Sequence, residues 1–518
     1  MKKLSLLCII ILFQTLPAFA QEQSVVNAVI TIAKTDNQTM QHLDVLTNRI
    51  GGRPIGSYAY ETAIYWAANL FKKWELEVEI QEVGALPVGF NRGPWFGKML
   101  DSDGMILHFA TPSYTSGTKG VQRGHVVAEP KTTAQFNRMK GKLKGAWVLI
   151  TGVSDGYPID YSAKGDSIRQ TVIAKNDITQ GYNDSISRIN RQNPNKPPLP
   201  LKELDDAPAL FYKEMREVGI LGIIQSAPVP ITALYDRKNV MDMDFDRLPS
   251  CPDIKLDEKQ YAVIAQKVKE RQYFLLEFDI RNHFRPGPVK YHNVIGIIRG
   301  SEFPDEYVMT GGHLDSYDTA TGAVDCGTGV APNLEAARML MMAGAKPRRT
   351  ILFCLWAGEE FGLLGSKYWV ENNTEKLPYI SNYFNRDGGP TVANSLTVPA
   401  AMYDDFQKAT AQLNDINPDF PFTLQQRRGN PPVRPIITTT SGGSDHYYFA
   451  ANGVPAISFG TADPKGYDFN YYEIWHTERD TYNMSIPEYM EHTSAVIAIT
   501  VYNLANFDKI LSREGLYR

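Results

Sequence analysis

Across the second half of the chain, short apolar runs alternate with segments of helical period. Asn293–Ile298, Tyr307–Thr310, Thr350–Trp356 and Pro455–Phe459 are brief and largely apolar, the pattern of strands buried on both faces. Apolar residues recur at helical spacing near 333–343, 363–373, 401–413 and 487–506. This alternation predicts an α/β layer sandwich. Near the N-terminus, Asp44–Arg49 and Tyr58–Lys73 read as helices, and Leu76–Ile80 alternates apolar and charged residues as a half-buried strand does. The turn-rich loop Gly51–Ser57 between those helices has no assigned role.

From roughly 115 to 285 the texture changes. Runs such as Ala146–Ile150 and Gly219–Ile224 are separated by long polar loops, among them the Pro/Asn-rich Asn190–Pro200. A β-rich insert with its own small core is predicted, which either covers a site built elsewhere or adds stability. Within it, Gly152-Val-Ser154-Asp-Gly156 matches the G-x-S-x-G pattern of serine hydrolases, but that pattern needs a strand turning sharply into a helix. The following Tyr157-Pro158 is poor helix material, so Ser154 is not read as a nucleophile.

A chain of 518 residues exceeds one ordinary core. Four segments are expected: a leader at 1–20, an N-terminal part of the main domain at 21–114, the insert at 115–285, and the remainder at 286–518. The leader follows from Lys2 and Lys3 before the apolar run Leu4–Leu16 and the small-x-small ending Ala18-Phe19-Ala20. That run is shorter than the ~20 residues a spanning helix needs, so export to the periplasm or beyond is expected, without a membrane anchor after cleavage. A net charge of −4 gives no electrostatic reason to expect nucleic acid as partner. Beyond the leader the cysteines are Cys251, Cys326 and Cys354, too few for a disulfide framework.

The candidate chemistry lies where an α/β fold gathers its ligands, outside the carboxyl ends of the strands. His313 and Asp315 follow the Tyr307 run, Glu359 and Glu360 follow the Thr350 run, and Asp387 follows Tyr383–Arg386. His476 closes an aromatic loop, Tyr467–Trp475, beyond the Pro455 run. Singly, each is an ordinary loop residue, and Glu359-Glu360 is an ordinary helix-capping pair. Jointly they supply the imidazole nitrogens and carboxylate oxygens that divalent zinc takes.

The ordered set His313-x-Asp315, Asp325 among glycines, Glu359-Glu360, Asp387 in NRDGG, Ser444-Asp445-His446 and His476-Thr-x-x-Asp480 resembles the signature of the co-catalytic di-zinc exopeptidases. That family includes bacterial leucyl aminopeptidases and carboxypeptidase Q. The similarity covers roughly 40–110 and 290–515, and the insert resembles a protease-associated domain. The resemblance implies a three-layer sandwich around a central mixed sheet, and two Zn2+ ions. Asp325 would bridge them, His313 and Asp387 would complete one, and Glu360 and His476 the other. Glu359 is the implied general base. Asp315 suits a supporting role, accepting the N–H of His313, and Asp480 could do the same for His476.

Two departures stand out. Many relatives carry Asn or Asp after the bridging aspartate, at a peptide the family tends to hold cis; here that residue is Cys326. A tyrosine commonly precedes the last histidine, and here Trp475 does, removing a hydroxyl and leaving its work to the metals or to Tyr317, Tyr447 or Tyr448. Substrates are expected to be peptides or dipeptides. Asp445 would suit a free amine, and Arg386, or Arg427 and Arg428, a free carboxylate, while His446, Tyr447 and Trp475 are further candidate contacts. An aminopeptidase or dipeptidase is favoured over carboxypeptidase specificity. A one-metal glutaminyl cyclase-like enzyme and a non-catalytic binding protein are the alternatives from other classes. Oligomeric state is not addressed by the sequence.

Overall fold

The computed structural model describes residues 22–102, 104–428 and 443–516. The expected leader lies outside the described residues. The described residues form two compact units: the chain up to Ala85 with Lys290–Trp475 and the chain from Arg479 on, and Leu86–Val289 with His476–Glu478.

The first unit is organised by a five-stranded mixed sheet. Its strands are β1 (Glu77–Asn91), β2 (His283–Ile298), β3 (Phe303–His313), β4 (Arg349–Trp356) and β5 (Ile380–Asn385), in the order β1-β2-β4-β3-β5. β2 runs antiparallel to β4, whereas β3 is parallel to both β4 and β5. Parallel neighbours require crossovers, and helices Thr328–Met342 and Leu364–Asn372 supply them. Every residue of β4 and β5 is buried, which is why β4 reads as a continuous apolar run. On one face Trp356, Trp369, Tyr383 and Phe449 pack as an aromatic cluster, with the Trp356 indole N–H donating to the Tyr383 hydroxyl at 2.7 Å. Helix Tyr58–Lys73 begins where Ser57 Oγ accepts the Tyr60 N–H at 3.0 Å, and it ends in Lys72 and Lys73.

Pro455–Phe459 is not a strand. Proline has no N–H to give a ladder. The segment is instead held beside β5 by the Tyr383 N–H on Pro455 O and by the Asn382 side chain, which bonds both N–H and C=O of Ile457. Ordered strand resumes at Gly460–Ala462, which pairs with Val392–Val398. The helix expected over 401–413 is shorter, Tyr403–Ala409, flanked by 3-10 turns.

The second unit holds a five-stranded sheet and a three-stranded antiparallel one. Strands Val126–Ala128, Trp147–Val153, Gly222–Ala227 and Asp253–Asp257 run parallel, and Phe109–Ala110 caps them antiparallel. The expectation of a β-rich insert is corrected by one element, the 30-residue helix Ala163–Gln192. Asn176, Asn183 and Asn190 lie on one of its faces at seven-residue intervals. Their amides bond both backbone groups of Asp205, Lys202 and Leu199 respectively, at 2.8–3.0 Å. Seven helical residues advance about 10.5 Å and three extended ones about 10 Å, so the two spacings match. The segment Leu199–Asp205 is thereby strapped along the helix. After strand Trp147–Val153 the chain does not turn into a helix; Ser154 Oγ accepts the Gly156 N–H. No helix among the described residues is long and apolar enough to cross a membrane.

Candidate metal centre

The parallel strands of the first unit end together. His313, the last residue of β3, pairs with Trp356 at the end of β4, and Gly311 pairs with Asn385 at the end of β5. Glu359 and Glu360 follow in the turn after β4, and Asp387 lies just past β5. Asp325 reaches the same edge from the loop before helix Thr328–Met342, and its peptide bond to Cys326 is cis.

His313 is fully buried. Its Nδ1 stands 2.9 Å from the main-chain oxygen of Asp315, a bond in which only the nitrogen can donate. A neutral ring with that bond keeps its lone pair on Nε2, which stands 3.1 Å from Asp325 Oδ1 and 3.8 Å from Asp387 Oδ1. One donor atom each from His313, Asp325 and Glu360 lie within 4.8 Å of one another, as do atoms of His313, Cys326 and Asp387.

The supporting hydrogen bonds differ from the expected ones. The Asp315 carboxylate takes the main-chain N–H groups of Glu359 at 3.1 Å and Glu360 at 3.3 Å, fixing the turn that presents both acids. The His313 N–H goes to the Asp315 carbonyl instead. Asp480 holds the Asp325 loop, accepting the N–H of Val324 at 2.5 Å and of Asp325 at 3.3 Å. Ser444 Oγ donates to Asp387 Oδ2 at 2.6 Å and accepts from Asn385 Nδ2 at 2.7 Å.

Arg53 is a contributor that sequence reasoning left aside. It has no exposed surface, and its guanidinium donates to the carbonyls of Gly51, Leu314, Thr321 and Gly322 at 2.8–3.0 Å. Its main-chain N–H bonds Ser316 Oγ at 3.0 Å. One residue thus ties together Leu314 and Ser316, on either side of Asp315, and the backbone leading to the loop of Asp325. The signal was an arginine set between glycines and a proline, Gly52-Arg53-Pro54, in a loop beside no other charge.

The electrostatics are those of a buried acid cluster around His313. Burial, opposed by His313 but reinforced by Glu360, Asp387 and Asp445, holds the Glu359 carboxyl far above the usual carboxylate range. Asp445 is pushed up to about 7, chiefly by burial, and Asp480 to about 7 by burial and by Asp325. Burial alone would lower the His313 imidazole, but Cys326, Asp315, Asp325 and Asp387 raise it well above its ordinary value. An imidazole lone pair facing buried carboxylate oxygens is a donor set that fits a divalent cation of the zinc type.

The other candidates fall differently. Arg386 is buried and donates through Nη2 to the carbonyls of Gly389 and Thr391, both at 2.7 Å. It braces the loop after Asp387 and is not an open anchor for a carboxylate. Asp445 also has no exposed surface, which makes it a support and not an open amine anchor. His446 begins the short helix His446–Ala451, on which Tyr447 is buried edge-on to Tyr448. Trp475 is 43% exposed and stacks on Tyr471. His476 adopts the left-handed conformation (φ 60°) and is grouped with the second unit, where Thr477 bridges to Thr232 and Glu478 bonds Ile231. Of the five expected ligands, His313, Asp325, Glu360 and Asp387 meet at one sheet edge of the first unit.

This edge and its acid-lined imidazole fit the donor set that the resemblance to the co-catalytic zinc exopeptidases implies. Residues 293–501 match the model of Peptidase family M28. Carboxypeptidase Q of Mus musculus is 23% identical over 500 residues, which cover 95% of this chain and 92% of the mouse protein. Higher identity is local: a probable glutamate carboxypeptidase of Zea mays is 48% identical over 91 residues and one of Arabidopsis thaliana 43% over 130. These matches span only 12% and 18% of those plant proteins. A crystal structure of a Peptidase M28 precursor from Shewanella amazonensis shares the fold, with a TM-score of 0.56 at 20% identity over 95% of this chain and 98% of that one.

Proposed function

We propose that the protein is an exported, zinc-dependent exopeptidase that hydrolyses a peptide bond next to a chain terminus, as an aminopeptidase or dipeptidase. The observation that carries this is the convergence of His313 Nε2 with carboxylates of Asp325, Asp387 and Glu360 at the carboxyl edge of parallel strands. Those four residues would hold two zinc ions with Asp325 shared between them, and the family resemblance adds His476. Zinc, when bound, supplies a more acidic water and polarises the carbonyl.

The remaining work belongs to the chain. Glu359 is the general base: its turn is fixed by Asp315, and its raised pKa suits it to take a proton from the attacking water and pass it to the departing amine. Asp315 and Asp480 hold their loops through main-chain N–H groups, keeping the carboxylates oriented.

A second specificity is favoured by the near full-length similarity to carboxypeptidase Q, namely release of a C-terminal residue or cleavage of dipeptides. Dipeptides blocked at the N-terminus and at the C-terminus separate the two. An aminopeptidase cleaves only the C-blocked substrate, a carboxypeptidase only the N-blocked one, and a strict dipeptidase neither. Cleavage of substrates blocked at both ends contradicts an exopeptidase.

A further inference from the structure

Four buried side chains of the first unit, Trp356, Tyr383, Asn385 and Ser444, form an unbroken line of hydrogen bonds that ends on the candidate ligand Asp387. We propose that Tyr383 and Asn385 are positioning residues for the metal centre. They fix which way the Ser444 hydroxyl points, and so how firmly Asp387 is held for a cation. The proposal rests on the peptidase reading above.

The line runs from the aromatic core to the sheet edge. Trp356 and Tyr383 lie on β4 and β5, the strands that flank β3, so the first bond spans the strand that ends in His313. The indole N–H donates to the Tyr383 hydroxyl at 2.7 Å, and that hydroxyl donates to Asn385 Oδ1 at 2.8 Å. Tyr383 and Asn385 are two residues apart on β5 and so share a face of the sheet. Asn385 Nδ2 donates to Ser444 Oγ at 2.7 Å, and Ser444 donates to Asp387 Oδ2 at 2.6 Å. The Trp356 ring is packed against Trp369, Tyr383 and Phe449, which anchors the start of the line.

The chemistry of the two ends sets the direction. An indole N–H can only donate, and a carboxylate in the ionised form that binds metal can only accept. With the Trp356 hydrogen on its oxygen, the Tyr383 phenol gives its own hydrogen to Asn385 Oδ1. The amide then presents its NH₂ to Ser444, whose hydrogen is left for Asp387. An amide turned over would offer Oδ1 to Ser444 instead and draw that hydrogen away from the ligand. All bonds point the same way, so each polarises the next. The main chain beside Asp387 is already pinned by the Arg386 N–H on Gly311 O at 2.8 Å, which leaves the rotation of the carboxylate for Ser444 to set. With Oδ2 so engaged, Oδ1 is the oxygen that stands 3.8 Å from His313 Nε2.

The test is a double-variant cycle read as zinc affinity, by chelator competition on the metal-free protein, with a melting curve on each preparation. S444A removes the donor to Asp387, and loss of such a partner lowers metal affinity by about 10- to 100-fold. Y383F removes one hydroxyl, keeps the packed ring, and should weaken zinc by part of that factor. Because Tyr383 acts through Ser444, Y383F/S444A should bind zinc as S444A alone does. Fold-losses that multiply, as they do for independent sites, would give Tyr383 a packing role only and overturn the proposal. N385A breaks the line one link nearer the ligand and supplies the same cycle if Y383F folds poorly. A folded Y383F that binds zinc as tightly as the wild type overturns the proposal and leaves the peptidase intact. A wild-type protein that binds no zinc overturns both.

Discussion

Replacing Glu359 by glutamine removes a proton acceptor and little else. The main-chain N–H of residue 359 still bonds Asp315, and its carbonyl still accepts from Gly362 at 2.7 Å and Leu363 at 2.9 Å, so the turn keeps its shape. The change also relieves repulsion, because Glu360, Asp387 and Asp445 raise the pKa of Glu359 alongside burial. Stability should therefore hold or rise slightly, and zinc content should not change. General-base catalysis contributes about 10²- to 10⁴-fold, or roughly 3–5 kcal/mol at 1.36 kcal/mol per tenfold. Burial makes this carboxylate a stronger base than an exposed one, which puts the expected loss of kcat toward the upper end of that range. The assay is hydrolysis of a dipeptide or amino-acid amide, with zinc by elemental analysis and a melting curve on the same preparation. An E359Q enzyme that keeps kcat within tenfold of the wild type at full zinc content refutes the assignment.

Asp315 holds two N–H groups with two oxygens, so in D315N an amide NH₂ faces one of those donors and the Glu359–Glu360 turn loosens; zinc affinity should fall about 10- to 100-fold by chelator competition. His492 is buried with neither ring nitrogen hydrogen-bonded among the described residues, packs edge-on to Phe420, and is lowered to about 4 by burial. Because the folded pKa lies below the unfolded value near 6.5, the unfolded chain binds the proton first, and stability present above about 6.5 is lost as pH falls toward 4. The loss amounts to about 3 kcal/mol at the acid end, and H492F should flatten the decline of Tm between pH 7 and pH 4.5 relative to wild type.

The core of the first unit was legible because strands buried on both faces are apolar throughout, as in β4, because helix Tyr58–Lys73 carries an apolar stripe, and because helix Pro487–Ala505 is rich in apolar residues along nearly its whole buried length. The site was legible as positions following those strands, since a parallel sheet aligns its carboxyl ends and brings His313, Glu360 and Asp387 together over long sequence gaps. What escaped was held by polar side chains bonded to backbone. Helix Ala163–Gln192 buries Arg169, Asn176 and Asn183 along with Ile173 and Ile186, so no apolar stripe announces it. Arg53 likewise looks like a surface charge until its four carbonyl partners are in place. Neither Arg386 nor Asp445 could be judged as a substrate anchor from sequence, because burial and not residue type decides that role.

The most direct test of the central claim is anomalous diffraction at the zinc edge from crystals of the protein grown with zinc. Two peaks about 3.5–4 Å apart, one of them about 2.0–2.1 Å from His313 Nε2, with Asp325 between them, is the result expected. Absence of anomalous density beside His313 and Asp325 at full zinc loading, or density only elsewhere on the molecule, would contradict it.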